Sequence, residues 1–318
     1  MSDPTLPFAA GVHLPWAGVP PDVRRWAEAL GGGPPEQVVD LAGGFSPGAA
    51  CRLVFPRGRE IFVKAVGAEL NPDSPSMHRR EAVIAAALPD SPYWLRLIST
   101  YDDDDWVGLA FVAIDGGHPR HPWDSGELVS VLGSLERMHE ALTPSPVDAV
   151  ASSAEYRLST FGGWRALASA PTVPTNLDPW SIRHLDQLAE LEDGWPAACE
   201  GTTLIHGDLR SDNMLLLDGG VVFVDWPHAS VGCAALELVA WAPTVEMEGG
   251  PEPEALLARY APSHQFDADV VTVLVAAVAG FLTERSFRPD PPGLPTLRAF
   301  QAAQGDVARS WLRQRTGW

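Results

Sequence analysis

The sequence predicts an α+β fold of two lobes: a small β-rich N-terminal lobe over residues 1–115 and a larger helical C-terminal lobe over 116–318. Three observations carry this. Short strand signals separated by glycine- and proline-containing turns recur between residues 37 and 66 and again between 96 and 114. From residue 125 onward the apolar residues recur with helical spacing. Between the two regimes lies Gly116-Gly117-His118-Pro119, which reads as a linker.

In chain order, a helical pattern over 21–30 stops at a glycine- and proline-rich break. Strands are expected over 37–41, 50–55 and 60–66. The loop Gly43-Gly44-Phe45-Ser46-Pro47-Gly48 separates the first two. After a loop at 71–76, residues 78–88 have helical periodicity, with Val83, Ala86 and Ala87 as the apolar face. Strands over 96–101 and 106–114 flank the acidic quartet 102–105, which reads as a solvated hairpin tip rather than a metal site. Helices follow over 126–141, 178–192, 252–260, 267–281 and 294–315, with Asp178 and Asp267 placed as N-caps. The apolar run 270–282 is too short to span a bilayer and reads as a buried core helix.

Composition narrows the function. A chain of 318 residues that is 46% hydrophobic can bury a sizeable core, which excludes global disorder. A net charge of −19 argues against nucleic acid and against an anionic membrane surface as partners, and would steer cationic small molecules. Cys51, Cys199 and Cys233 are too scattered for a disulfide framework or a zinc site and read as buried thiols of a reducing compartment. The first residues carry an early acid and no basic stretch, unlike a secretory signal, so a cytoplasmic location is expected. No heptad pattern speaks to oligomeric state, which stays open.

Of the 22 basic residues, 21 are arginines and one, Lys64, is a lysine. Arginine-rich usage follows from a GC-rich genome, but retention of one lysine marks a place where a compact point charge does what a planar fork cannot.

The most informative stretch is Leu204 to Trp226, LIHGDLRSDNMLLLDGGVVFVDW. Asp208 follows His206-Gly207, Asn213 comes five residues later, and Asp218-Gly219-Gly220 forms a hairpin turn whose return strand ends at Asp225. The hairpin brings Asn213 and Asp225 to the same end of paired strands, with Asp208 on the loop before them. Two carboxylates and one amide oxygen suit a hard cation such as Mg²⁺. Singly, each residue reads as a turn or loop cap; the set at these spacings does not.

H-G-D-x-x-x-x-N, a hairpin and then Asp-Trp resembles the catalytic core of the aminoglycoside phosphotransferase and choline kinase group, over roughly residues 37–245. The resemblance implies a protein-kinase-like bilobal fold and transfer of the γ-phosphoryl group of ATP to a small-molecule hydroxyl. It implies that Lys64 holds the α/β-phosphates and that Glu81 orients Lys64. The loop with Gly44, Phe45 and Ser46 would cover the nucleotide. Adenine would meet the backbone near Ala113 and Ile114. Asp225 and Asn213 would bind Mg²⁺, and Asp208 would be the catalytic residue that orients the acceptor hydroxyl and takes its proton. Glu81 also reads as an ordinary first-turn glutamate. His206 reads as a residue that pins the loop. Arg210 and Ser211 either reach the acceptor or phosphate or face solvent. Relatives commonly carry an aspartate before Leu-Ala; here Glu237 stands there and is expected to steady the catalytic loop. Trp226-Pro227 after Asp225, and the absence of an Ala-Pro-Glu segment, argue against a regulated protein kinase.

Acceptor candidates are Trp226, His228, Trp241, Glu246, Glu248 and Tyr260. Trp241 and Tyr260 read more readily as core, Glu246 and Glu248 as surface acids. Aminoglycosides, sugars, amino alcohols and nucleoside or peptide antibiotics all stay open as acceptors. The alternative is a catalytically idle binding protein on the same fold, against which the joint presence of Lys64, Asp208, Asn213 and Asp225 argues. A metal-dependent phosphohydrolase would not need the lysine.

Overall fold

The computed structural model describes residues 11–41, 45 and 47–318. Gly44 and Ser46 lie outside the described residues. Helix α1 (Pro21–Gly31) carries proline in its first turn and is closed by Gly32 in the left-handed conformation at φ 86°. It buries Val23 and Ala27 against a five-stranded sheet. The strands are β1 (Gln37–Asp40), β2 (Ala49–Phe55), β3 (Arg59–Gly67), β4 (Leu97–Asp102) and β5 (Trp106–Val112). They are antiparallel in the order β1-β2-β3-β5-β4. Strand β2 alternates buried and half-buried residues, as a sheet covered on one face requires. The second half of β3, from Val63 to Gly67, is buried at every position, because α1 covers one face and the cleft helix lies beyond the other. Lys64 falls in this stretch, opposite Ala50 on β2 and Leu109 on β5.

That cleft helix is α2 (Ser74–Ala87). It starts four residues earlier than the sequence indicates and turns a different face inward. Val83 is 52% exposed and Ala86 and Ala87 are also exposed, whereas His78, Glu81, Ile84 and Ala85 are buried. The apolar-face expectation fails because the helix buries polar side chains against Lys64. The earlier start puts Glu81 in the third turn, so the first-turn reading of this glutamate fails too.

The acidic quartet is the tip of the β4–β5 hairpin. Arg79 pairs with Asp102, and Asp103 accepts hydrogen bonds from Tyr101 and the Trp106 amide. Among the described residues no cluster of histidine, cysteine and acidic side chains is of a kind to hold a metal.

The linker is fastened to the helical lobe: Gly117 exchanges two backbone hydrogen bonds with Leu216. Helices α3 (Ser125–Ala141), α4 (Ser153–Arg157) and α5 (Gly163–Ala168) follow. The single helix expected over 178–192 is two, α6 (Pro179–Arg183) and α7 (Leu185–Glu192), divided where His184 leaves helical geometry at φ −109°. Asp178 caps the first, accepting from the Trp180 and Ser181 amides. After α8 (Trp195–Ala198), strand β6 (Thr203–Ile205) leads into the His206-Gly207-Asp208 loop. It is followed by the hairpin β7 (Met214–Leu217) and β8 (Gly220–Phe223), and by β9 (Ser230–Gly232), which pairs with β6. Helix α9 (Ala234–Met247) contains Pro243 and is almost wholly buried. It has no polar face, so periodicity does not reveal it. Helices α10 (Pro253–Arg259), α11 (Ala268–Ser286) and α12 (Leu297–Thr316) complete the lobe.

Asp267 caps α11, and α11 is the expected core helix, with Val271 through Leu282 largely buried. Where α5 crosses it, Gly163 lies directly on Gly280, a contact that only glycine permits. No described helix is long and apolar enough to cross a membrane. The cysteines are free; Cys51 and Cys199 are buried and Cys233 is half-buried. Burial pushes the Cys51 and Cys199 thiols up to about 12.

Candidate active site

The loop that carries Asp208 leaves the buried strand β6 at His206, whose imidazole is fully used. Its Nε2 bonds the Val224 carbonyl at 2.8 Å, its Nδ1 accepts the Asp208 amide at 3.3 Å, and the ring packs 4.7 Å from that of Trp226. This is a pinning residue, as its sequence context suggests. Gly207 takes φ 81°, and a side chain there would strike the His228 carbonyl, so glycine is required. Glu237 on α9 receives both amides of this turn, His206 N–H at 2.5 Å and Gly207 N–H at 2.8 Å. His139 Nε2 stands 3.6 Å from the same carboxylate, and His139 Nδ1 meets the Tyr260 hydroxyl at 2.7 Å. Burial acts to raise the Glu237 pKa, but the nearby His139 and His206 and the Gly207 amide outweigh it and hold the group below its ordinary value.

Asp208 comes next. Its Oδ2 accepts from Arg210 at 2.6 Å and from Asn213 Nδ2 at 3.2 Å. Burial works against its charge, yet Arg210 and the nearby histidines keep its pKa below the usual carboxylate range. Arg210 is therefore not a solvent-facing loop residue. Its guanidinium bridges Asp208 and Asp212, and it lies 5.1 Å from the ring of Phe45. Ser211 also turns inward and donates to Glu248 at 2.9 Å.

The β7–β8 hairpin does what its turn sequence implies. Met214 pairs with Phe223, and the Val224 amide bonds the Asn213 carbonyl at 3.0 Å, which sets Asn213 beside Asp225. Asn213 spends its Nδ2 on the Asp208 carbonyl and carboxylate and keeps its Oδ1 for the cleft. Asp225 has φ 69°, a left-handed conformation that few residues other than glycine accept without strain. Its carboxylate meets Lys64 Nζ at 2.5 Å, and Lys64 also pairs with Glu81.

One ammonium thus serves two carboxylates, Glu81 buried and Asp225 half-buried. Burial alone would lower the lysine's pKa, but Asp225 and Glu81 together raise it. Asp225 is held well below its usual value despite burial, because Lys64 and Arg210 both favour its charge. Glu81 has less support, and burial lifts it to about 7. His78, one turn before Glu81 on the same face, is pushed down to about 3 by burial and by Lys64. It was not among the expected residues; its spacing from Glu81 is the signal that could have found it.

Two cavities meet at this cluster. One, of about 430 Å³, lies under the sheet and is lined by Lys64, Phe45, Ala113, Ile114, Asn213 and Asp225, among others. The other, of about 350 Å³, lies between the catalytic loop, α2, α11 and α12 and reaches Asp208 and His228. Asp225, Arg210, Glu81, His78 and Phe45 border both.

The acceptor candidates fare unevenly. His228 borders the second cavity, with its Nδ1 2.8 Å from the Tyr156 hydroxyl. Trp226 borders the first. Trp241 and Tyr260 are core. Glu246 lines neither cavity. Glu248 is not a surface acid: it receives Ser211 and Trp123, and burial raises it to about 7.

Residues 41–271 match the model of the phosphotransferase enzyme family. No functionally curated protein matches the chain by sequence. Several solved structures are similar in fold. A thermostable variant of the aminoglycoside phosphotransferase APH(4)-Ia, in ternary complex with AMP-PNP and hygromycin B, has a TM-score of 0.60 at 13% identity, covering 92% of this chain and 99% of that one. An aminoglycoside-3'-phosphotransferase of type VIII has a TM-score of 0.55 at 22% identity, covering 82% and 98%. The choline kinase LicA from Streptococcus pneumoniae has a TM-score of 0.57 at 14% identity, covering 91% and 98%. With a family model spanning most of its length and a protein-kinase-like fold, the chain belongs to the phosphotransferase enzyme family.

Proposed function

We propose that this protein transfers the γ-phosphoryl group of ATP to a hydroxyl of a small molecule with Mg²⁺ as the accompanying cation. Its family makes it a small-molecule kinase. One observation carries the finer reading: the sole lysine and Asp225 stand where a cavity under the sheet meets a second cavity that reaches Asp208. Neighbours of the same fold were solved with ADP or AMP-PNP and with small-molecule acceptors, in keeping with this.

In this reading residues 1–115 serve the nucleotide and 116–318 carry the catalytic loop and the acceptor. Adenine lies against Phe62, Phe111 and Leu215. The backbone groups of Ala113 and Ile114, which bond no described backbone group, read its edge. Lys64 meets the α/β-phosphates, and Glu81 and Asp225 hold its ammonium in place. The donors present fit a hard cation, since the Asp225 carboxylate and the uncommitted Oδ1 of Asn213 are both oxygen ligands. When bound, Mg²⁺ neutralises charge on the phosphates. Asp208, ionised and anchored through one oxygen, uses the other to orient the acceptor hydroxyl and to receive its proton. Arg210 keeps that carboxylate from swinging towards Asp225.

The test is thermal melting with and without Mg·ATP, followed by acceptor-dependent ADP release. A ligand at a hundredfold excess over its Kd stabilises the folded state by about 2.7 kcal/mol. The shift is expected in the wild type and in Asp208→Asn, but not in Asp225→Ala. ADP release is expected in the wild type alone. No shift at millimolar Mg·ATP overturns the reading, and a shift without turnover of any acceptor favours the idle binding protein.

A further inference from the structure

We propose, on the reading above, that the acceptor is an uncharged alcohol with a largely apolar body and not a polycation. The chain's net charge of −19 suggests the opposite at first sight. That charge is not where the acceptor would bind. Four carboxylates border the cavity that reaches Asp208: Asp73, Glu81, Asp208 and Asp225. Glu81 and Asp225 already share Lys64, and Asp208 is paired with Arg210. Only Asp73 is left, and Arg157 also borders the cavity as an opposing charge. An acceptor bearing several ammonium groups would lose their hydration there and gain at most one free carboxylate, which is unfavourable for every further charge buried.

The walls instead suit apolar surface. Met77, Phe161, Val278, Phe281, Leu294 and Phe300 all border the cavity. They come from α2, from the segment before α5, from α11 and from the start of α12 and the turn leading into it, so several elements contribute to the apolar lining. Among the residues of α12 that border it are two neutral amides, Gln301 and Gln304. Gln304 donates its Nε2 to Thr244 at 2.6 Å and keeps its Oε1. Gln301 gives its Oε1 to Arg298 at 2.7 Å and keeps its Nε2. Each glutamine offers one unspent hydrogen-bonding atom, a pairing that reads hydroxyl, ester or amide groups on a neutral molecule and gives no charge complement to an amine. His228 adds no charge, since burial lowers its pKa. A cavity of about 350 Å³ lies within the range of ordinary small-molecule sites.

The experiment uses two neutral alcohols, chloramphenicol and 1-adamantanemethanol, and two polycations, kanamycin and spermidine. Each is added to the protein with saturating Mg·AMP-PNP and read by thermal shift, and the alcohols and kanamycin are then assayed with Mg·ATP by ADP release. The proposal expects further stabilisation and ADP release from at least one neutral alcohol, and none from the polycations. Leu297→Glu supplies the second arm. Leu297 borders only the acceptor-side cavity and is the first residue of α12, where a carboxylate is compatible with the helix dipole. It should leave the Mg·AMP-PNP shift unchanged while weakening the neutral alcohol about tenfold or more. Preference for kanamycin or spermidine overturns the proposal. So does binding of neither class by a protein that Mg·AMP-PNP stabilises; in both cases phosphotransfer itself stands. If Mg·AMP-PNP fails to stabilise the wild type, the phosphotransfer reading falls first, and this proposal falls with it.

Discussion

Replacing Glu237 with glutamine tests whether the catalytic loop hangs from α9. In the wild type the two carboxylate oxygens each take one amide, His206 N–H and Gly207 N–H, at a position with 1% exposure. Glutamine keeps one oxygen and turns an NH₂ group towards the other amide. One charge-assisted bond is lost, worth about 1.5–3 kcal/mol, and one buried N–H is left facing a donor, at about 1–3 kcal/mol more. The expected loss is therefore about 2.5–6 kcal/mol, a large part of the 5–15 kcal/mol by which domains are stable. In the proposed function Asp208 receives the acceptor's proton; it lies one residue beyond Gly207, so a shift of the turn also misplaces that carboxylate, and a displacement of about 1 Å costs roughly a hundredfold in rate. Urea unfolding followed by tryptophan fluorescence gives the first quantity, and kcat with a productive acceptor gives the second. Glu237→Asp, with the carboxylate drawn back by one methylene, should fall between wild type and glutamine in both. A glutamine variant within about 1 kcal/mol of wild type and with unchanged kcat would refute the argument, since it would show that the two amides need no anionic acceptor.

Three further outcomes follow from the same geometry. Lys64→Met leaves Glu81 and Asp225 beside each other without the ammonium they share, so stability should drop by about 3–5 kcal/mol at neutral pH, measured by urea unfolding, and the Mg·ATP melting shift should disappear. Folding raises the Glu248 carboxyl from 4.5 to about 7, so the folded chain holds this proton more tightly than the unfolded one. The stabilisation from that proton is complete below pH 4.5 and is lost as pH rises through about 7, at about 1.4 kcal/mol per pH unit in between. Glu248→Gln should flatten the stability profile by that slope, as read from unfolding at half-unit pH steps. Gly163→Ala forces a methyl group onto the Gly280 carbonyl and should cost at least about 1–3 kcal/mol by calorimetry, whereas alanine at the open position Gly219 should cost little.

What the sequence discloses and what it hides divide along physical lines. Strands β2 and β3, the Asp-Gly turn between β7 and β8, and the caps at Asp178 and Asp267 are set by local pattern, and the structure has them within a residue or two of their expected ends. Asp208, Asn213 and Asp225 are legible because one short hairpin fixes their separation. Lys64 stands out because the rest of the chain has no lysine. The failures share a cause: polar side chains buried for a purpose. In α2 the exposure of Val83 and burial of Glu81 invert the usual amphipathic rule. Arg210, Ser211 and Glu248 look like loop and surface residues until the fold shows which of them bond to one another. Helix α9 escapes notice because it is buried all round and contains proline, so both the helical period and the propensity are silent. The break at His184 has no marker in the sequence.

The solitary lysine has a practical meaning for anyone handling this protein. Its ε-amino group is the only side-chain primary amine in the chain and is 7% exposed. Acylating or reductively methylating reagents that miss every arginine therefore have one internal target, and it sits at the mouth of a cleft. Because Asp225 and Glu81 hold that amine charged, the mass added to the peptide containing residue 64 grows slowly, and a ligand that covers the amine slows it further. Immobilisation or dye conjugation that does reach this amine blocks the cleft, so coupling is better directed to a cysteine placed on the outer surface.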